Sequence, residues 1–85
     1  MEILKVASKS EAKSVAGAIQ AIFQKGHSEL EIHCIGAGAV NEALKAVIIA
    51  RGSLITQGKD IKIVPSFYDV EIDGVKKTGI RMIVG

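Results

Sequence analysis

Hydrophobic and polar residues alternate at the start of the chain and then take up a helical period. The alternation over residues 2–7, with Leu4 and Val6 on one side, predicts a strand that is covered mainly on one face. The sequence Ser-Lys-Ser-Glu at residues 8–11 has the spacing of a capping box, so we expect a helix to start there with its first serine as the cap. Gly26 is the expected end of this helix. Its apolar stripe consists of Val15, Ala18, Ile19, Ile22 and Phe23.

Glycines mark two places in the first half of the chain. Gly17 lies inside the first helix, where glycine costs about 1 kcal/mol relative to alanine, so we expect another backbone to approach it closely. A second alternating strand occupies residues 30–34, with inward positions at Leu30, Ile32 and Cys34. The turn after it, Gly36-Ala37-Gly38, presents free N–H groups at the start of a second helix, where an anion is favoured. Close helix–strand packing is the alternative role of this turn.

The second helix is apolar on most of its circumference, and Gly52 is its expected end. Helices of this kind are buried on more than one side. The chain is 48% hydrophobic but has only one tyrosine, two phenylalanines and no tryptophan, so we expect part of its apolar surface to be buried between subunits. We therefore predict a homodimer or higher oligomer. The main stripe of this helix is Val40, Leu44, Val47 and Ile48, and Ile49 lies outside it.

A long β-hairpin is predicted at the end of the chain. Residues 60–72 are extended, and their apolar positions change phase near Pro65. We interpret this change as a bulge or bend, and the proline indicates a strand at the edge of a sheet. Asp73-Gly74 is a strong signal for a two-residue turn that returns the chain as residues 77–84. The predicted order is β-α-β-α-β-β, in a single domain over residues 1–85.

Composition narrows the class of function only slightly. The net charge of +2 is too small to indicate a nucleic-acid partner by itself. The one cysteine, Cys34, cannot form an intramolecular disulfide and indicates a reducing compartment. We see no secretory signal and no apolar run of the roughly 18 residues that span a membrane. We therefore expect a cytoplasmic protein with no membrane partner.

Residues with the potential for catalysis or metal binding are sparse. Ser8 and Ser10 fit helix caps better than nucleophiles, because neither has a histidine nearby in sequence. His27 and His33 do not supply the roughly four ligands of a zinc site. Asn41 stands where a dinucleotide-binding fingerprint has its third glycine, and no Gly-Lys-Ser/Thr is present. The sequence predicts no catalytic residue, no metal, no cofactor and no enzymatic activity.

Several stretches of the chain together carry a family resemblance. They are Lys-Val-Ala-Ser-Lys-Ser at residues 5–10, Ser-Val-Ala-Gly-Ala at 14–18, Ile-Gly-Ala-Gly-Ala-Val-Asn at 35–41, Ala-Arg-Gly at 50–52 and Pro-Ser-Phe-Tyr-Asp-Val-Glu-Ile-Asp-Gly at 65–74. Through them the chain resembles the stage V sporulation protein S family, which has an Alba-like fold. The resemblance implies an α/β protein (an α+β sandwich) with a four-stranded mixed sheet and two helices on one face. It also implies a dimeric regulator that is linked to sporulation or cell-division control and binds DNA or RNA.

The resemblance also indicates residues for nucleic-acid binding. In Alba proteins the glycine turn before the second helix carries basic residues, but Ala37 and Ala39 stand there in this chain. The resemblance carries the role over to Lys9, and Lys13 extends the same basic edge one helical turn further on. A solvated lysine is the alternative for both. The hairpin residues to which the role is also carried over are Lys76, Lys77 and Arg81.

Other roles stay open at this stage. Acidic neighbours make cross-strand pairing an alternative for the basic hairpin residues. Phe67 or Tyr68 could stack on a base, and core packing is the alternative. Only one of the two can face a given side of the sheet, because neighbours in a strand face opposite sides. A protein–protein interaction module that assembles a regulatory complex without nucleic acid is favoured by the small net charge and the alanines of the turn. A small-ligand or enzymatic role rests on the glycine turn alone.

Overall fold

The chain folds into a sheet of four strands with both helices on one face. The computed structural model describes all residues, 1–85. The order β-α-β-α-β-β and the α+β class are as predicted. The elements are β1 (Glu2–Val6), α1 (Ala12–Gln24), β2 (Leu30–Cys34), α2 (Ala37–Leu54) with a short 3-10 turn (Ile55–Gln57), β3 (Ile63–Ile72) and β4 (Val75–Val84).

The strands lie in the order β1-β2-β4-β3. β1 and β2 are parallel and need a crossover, which α1 provides, while β4 runs antiparallel to both β2 and β3. The pairing of β2 with β4 stops at Cys34 and Ile80, whereas β3 and β4 pair down to their turn. Residues 68–79 therefore project beyond the rest of the sheet as a two-stranded arm.

The hydrophobic core lies between the sheet and the helices. As the alternation predicts, Leu30, Ile32 and Cys34 are buried. The Cys34 thiol donates a hydrogen bond to the Ile80 carbonyl oxygen at 3.5 Å, and burial raises the pKa of this thiol. The helices contribute Ala16, Ile19, Ile22, Phe23, Ala39, Ala43, Ala46, Val47, Ala50 and Leu54.

The first helix begins later than the capping-box spacing predicts. Its first residue is Ala12, and the residue before it makes no capping hydrogen bond through its side chain. Ser10 instead closes the preceding loop, because its Oγ accepts a hydrogen bond from the Ala7 N–H and its own N–H donates to the Ala7 carbonyl, both at 3.0 Å. The predicted cap at Ser8 is therefore wrong.

The second helix buries its alanines and leaves larger aliphatic side chains outside. Of the predicted stripe, Val47 is buried but Leu44 is exposed and Ile48 is 69% exposed. Small side chains let the helix axis approach its neighbours closely, and this favours burial of the alanine face over burial of the bulkier one. The predicted end at Gly52 is also wrong. The helix continues to Leu54, and Gly58, at φ 84°, takes the left-handed conformation after the short 3-10 turn.

The third strand is an edge strand, as its proline predicts, but it contains no bulge. Its pairs with β4 run unbroken from Ile63–Val84 to Ile72–Val75. Regular alternation places apolar residues on both faces of this strand, and this produces the apparent change of phase. The predicted turn is confirmed: Asp73 and Gly74 have φ of 51° and 77°, as a tight hairpin requires.

Gly17 offers a direct test of helix propensity. It is exposed, and no other part of the chain lies within 4 Å of the position that a Cβ would take, so the expected close approach of another backbone is absent. We expect Gly17→Ala to raise the free energy of unfolding by about 0.5–1 kcal/mol, because alanine is the better helix former. Denaturant unfolding measures this change. A loss of stability or of self-association would contradict the expectation and indicate that a partner subunit contacts Gly17.

Candidate nucleic-acid interface

The loop between β1 and α1 packs tightly against the start of α2. A Cβ at Gly38 would lie 2.9 Å from the Ser8 Cβ, so only glycine permits this contact. Gly36, at φ 91°, precedes the helix in a conformation that side chains rarely adopt. The glycine turn therefore serves close packing, and its partner is a loop instead of the expected strand. An anion-binding role for Gly36, Ala37 and Gly38 stays a prediction.

A cavity of about 530 Å³ opens beside this contact and is lined by three lysines. Lys9 comes from the loop, Lys13 from α1 and Lys45 from α2, and we call them the lysine cluster. Sequence reasoning identified the first two and missed Lys45. Its Nζ lies 2.9 Å from Glu42 Oε2, whereas Lys9 and Lys13 have no carboxylate within 4.0 Å.

The lysine cluster keeps a surplus of positive charge. Glu11 and Glu42 line the same cavity, but the carboxylate of Glu42 is already in contact with Lys45. Lys9 and Lys13 are both exposed and both free to contact an anion. This arrangement brings two of the five predicted basic residues together on one edge of the molecule.

The basic residues of the hairpin lie apart from the lysine cluster. Lys76 and Lys77 belong to the arm, where successive residues face opposite sides of the sheet. Lys76 is the register partner of Glu71, yet neither lysine has a carboxylate within 4.0 Å. Cross-strand ion pairs, the alternative role for these lysines, are therefore absent from the structure.

Arg81 lies on the sheet face that carries no helix, which we call the open face. Its register partners are His33 on β2 and Ser66 on β3, and His33 is in turn the partner of Lys5 on β1. The Arg81 Nε is buried and has no hydrogen-bond partner. His33 is engaged through its Nε2, which lies 2.9 Å from the Glu31 carboxylate.

Tyr68 and Phe67 lie on opposite faces of β3. The Tyr68 ring lies over Gly79, where a Cβ would be 2.6 Å from its Cε1, and its centroid is 4.9 Å from that of His33. Burial raises the pKa of the Tyr68 hydroxyl, and nearby Cys34 adds to the effect. Phe67, on the helix-bearing side, is 77% exposed. Neither aromatic belongs to the buried core, although Tyr68 is half-buried.

Metal binding and membrane crossing were the two remaining possibilities to compare with the structure. No three histidine, cysteine, aspartate or glutamate side chains come together as a metal site. Neither helix combines the length and the hydropathy that crossing a bilayer requires.

Comparison with known proteins places these features in context. Residues 2–85 match the family described as Stage V sporulation protein S (SpoVS). The structure is similar to Alba from Thermoplasma volcanium, with a TM-score of 0.67 at 16% sequence identity. The match covers 98% of this chain and 95% of that Alba chain. At this identity the likeness shows a shared fold.

Proposed function

The chain belongs to the stage V sporulation protein S family and has the Alba-like fold, and from this premise we propose that it is a nucleic-acid-binding regulator. It acts without catalysis, as a cytoplasmic homodimer, in the control of sporulation or cell division. The family resemblance deduced from the sequence motifs is confirmed by the match over residues 2–85. The binding activity and the dimer are the parts that require experiment.

The lysine cluster is the observation that carries the proposal. Lys9 and Lys13 present ammonium groups with no carboxylate partner beside the close contact of Ser8 with Gly38, so both are available to a phosphate. A dimer presents the cluster twice. Affinity arises mainly from the counterions that the phosphates release, so a small number of contacts gives modest binding that depends strongly on salt.

The arm supplies a second contact to the same nucleic acid. Its strands run five residues beyond Ile80, from Val75 to Gly79, which corresponds to about 17 Å. A two-stranded ribbon of this kind fits a major groove. Because Lys76 and Lys77 face opposite sides, one of them contacts the backbone while the other faces solvent.

Salt-titrated fluorescence anisotropy with labelled duplex DNA and RNA tests this function. We expect Lys9→Ala to weaken binding about three- to tenfold and to reduce the slope of log affinity against log salt by about one for each phosphate that is no longer neutralised. Lys25→Ala is the matched control, since Lys25 is an exposed lysine at the opposite end of α1. Absence of binding at low salt, or an equal effect of Lys25→Ala, would contradict the proposal.

A protein-interaction module without nucleic acid is the second candidate. It is favoured by the large apolar side chains at the surface, among them Ile48 and Phe67. Exposed apolar area of this extent is typical of interaction surfaces. Recovery of a stoichiometric protein partner that survives nuclease treatment, together with no affinity for nucleic acid, would favour this candidate over the first.

A further inference from the structure

We propose that the open face of the sheet binds an unpaired nucleotide of single-stranded nucleic acid, with its base against Tyr68 and its phosphate at Lys5, His33 and Arg81. This inference rests on the proposed function and specifies the form of nucleic acid that is bound. The lysine cluster suits a backbone of any form and the arm suits the groove of a duplex, whereas the open face suits a strand whose bases are free.

The strand register concentrates polar and basic side chains in a single row across the open face. Lys5 pairs with His33, His33 pairs with Arg81, and Arg81 pairs with a serine of β3, so one residue from each strand contributes. With strands about 4.8 Å apart, the row is about 14 Å long. The neighbouring row is apolar except for Glu31. Within the four-stranded part of the sheet the positive charge of the open face is therefore confined to this row, and Lys77 adds a charge on the same face of the arm.

Tyr68 presents a flat aromatic surface beside this row, two residues along β3 from its serine, with its ring 4.9 Å from that of His33. Because Gly79 has no side chain, one side of the ring lies directly on the backbone of β4, and the side chain stays partly exposed. The Tyr68 hydroxyl makes no hydrogen bond within the protein. A ring held in this way loses little freedom when a base stacks on it, and stacking of this kind accepts any base.

One charged group at the open face, Arg81, lacks an acceptor for its Nε. The buried Nε of Arg81 has no hydrogen-bond partner, which is uncommon for a buried donor, and a phosphate that meets the accessible part of this half-buried side chain would supply an acceptor that the protein does not. Glu31 is the acidic group on this face, and its carboxylate is already 2.9 Å from His33.

A cavity of about 300 Å³ lies beside the open face, on the side toward the β1–α1 loop. It is lined by Lys5, His33 and Tyr68 and by Ser8, which also lines the cavity of the lysine cluster. It opens at the carboxyl ends of the parallel strands β1 and β2, where ligands of open α/β sheets commonly bind. A single strand that crosses the β1–α1 loop would contact both sites, whereas the bases of a duplex are stacked and paired and cannot reach Tyr68.

Paired oligonucleotide measurements test the inference. We expect the wild type to bind a single strand more tightly than the duplex of the same sequence at equal salt. Tyr68→Leu, which keeps an apolar side chain but removes the ring, should weaken single-strand binding about tenfold, and Tyr68→Phe should retain it. Duplex affinity should change less than twofold in both variants. Phe67→Ala is the matched control, because Phe67 is the adjacent aromatic residue on the opposite face.

Intrinsic fluorescence gives a second and independent measurement. The chain has one tyrosine and no tryptophan, so its intrinsic tyrosine fluorescence reports on Tyr68 alone. Titration of the wild type with an unlabelled single strand should quench this signal, and the duplex should not. This measurement needs no variant and therefore stands even if Tyr68→Leu lowers the stability of the sheet.

The outcomes separate this inference from the proposed function. Duplex binding that depends on Lys9, with no effect of Tyr68→Leu and no quenching, would overturn the inference and leave the proposed function intact. Failure of the wild type to bind either form would overturn both. Equal loss of single-strand affinity in Tyr68→Leu and Phe67→Ala would also overturn the inference, because it would show that the position of the ring is irrelevant.

Discussion

Gly79→Ala is expected to lower the free energy of unfolding by about 3 kcal/mol. A Cβ at this position would lie 2.8 Å from the Cys34 carbonyl oxygen and 2.6 Å from Cε1 of Tyr68. The tyrosine ring can move away, but the carbonyl belongs to the backbone of β2 and moves only if the sheet opens. Gly79 has no positive φ, so the expected loss is purely steric. Equilibrium unfolding in denaturant measures it.

A double variant separates the two clashes at Gly79. In a Tyr68→Leu background, Gly79→Ala should cost less than in the wild type, because contact with the ring is removed and only contact with the Cys34 carbonyl is left. Gly17→Ala provides the opposite case, a glycine with open space around it and an expected gain in stability. A neutral Gly79→Ala would show that the strands β2 and β4 adjust without cost, contrary to the packing described.

The strands and the hairpin could be predicted because their signals are local. Alternation at residues 30–34 indicates a strand in a sheet with one buried face. Asp73-Gly74 forms a turn whose backbone conformation few other residues adopt. The helix boundaries were harder because a capping-box sequence does not require a helix. The Ser10 hydroxyl accepts a hydrogen bond from the Ala7 N–H within its own loop and does not cap the helix. Short polar side chains often bond to nearby backbone in this way.

The buried side of α2 could not be predicted from hydrophobicity. Large aliphatic residues dominate a pattern analysis, whereas the buried stripe is made mainly of alanines, such as Ala43, Ala46 and Ala50. Which face is buried depends on how closely the helix approaches α1 and the sheet. This distance is set by tertiary packing and has no local sequence signal.

The candidate sites join residues that are far apart in sequence. Lys45 lies beside Lys9 only because the loop that carries Lys9 packs on Gly38. Lys5, His33 and Arg81 share a row only through the register of three strands. Neither arrangement has a local sequence signal, so sequence reasoning found Lys9, Lys13 and Arg81 individually but not their neighbours.

The exposed aliphatic stripe of α2 is the surface that we expect to form the dimer. Leu44 and Ile48 lie four residues apart on one side of the helix, and Ile55 follows seven residues later at the start of the 3-10 turn. Arg51 is the charged residue on this side, and its Nε donates a 2.7 Å hydrogen bond to Asp60. This bond lowers the pKa of the Asp60 carboxyl and raises that of Arg51, so both stay charged near neutral pH. The pair brings no net charge into the interface.

Ile48→Asp is therefore expected to convert the proposed homodimer into a folded monomer. An aspartate at the centre of the stripe would bury an unpaired charge, which should raise the dimer dissociation constant at least about a hundredfold. Because Ile48 is 69% exposed in the single chain, the monomer loses little core packing and should stay folded. Sedimentation or light scattering gives the mass, and circular dichroism checks the fold.

Ile49→Asp is the matched control for this change. Ile49 is the next residue along the helix, about 100° around its axis from Ile48, and lines the cavity of the lysine cluster. It should leave the dimer intact and weaken nucleic-acid binding by adding a negative charge beside Lys9 and Lys13. Ile48→Asp should instead disrupt the dimer and leave the lysines of each monomer in place. The number of phosphates bound per particle then falls by about half, and the salt dependence of binding falls with it. A wild type that is monomeric at micromolar concentration, or an Ile48→Asp variant that stays dimeric, would show that this stripe does not join two subunits.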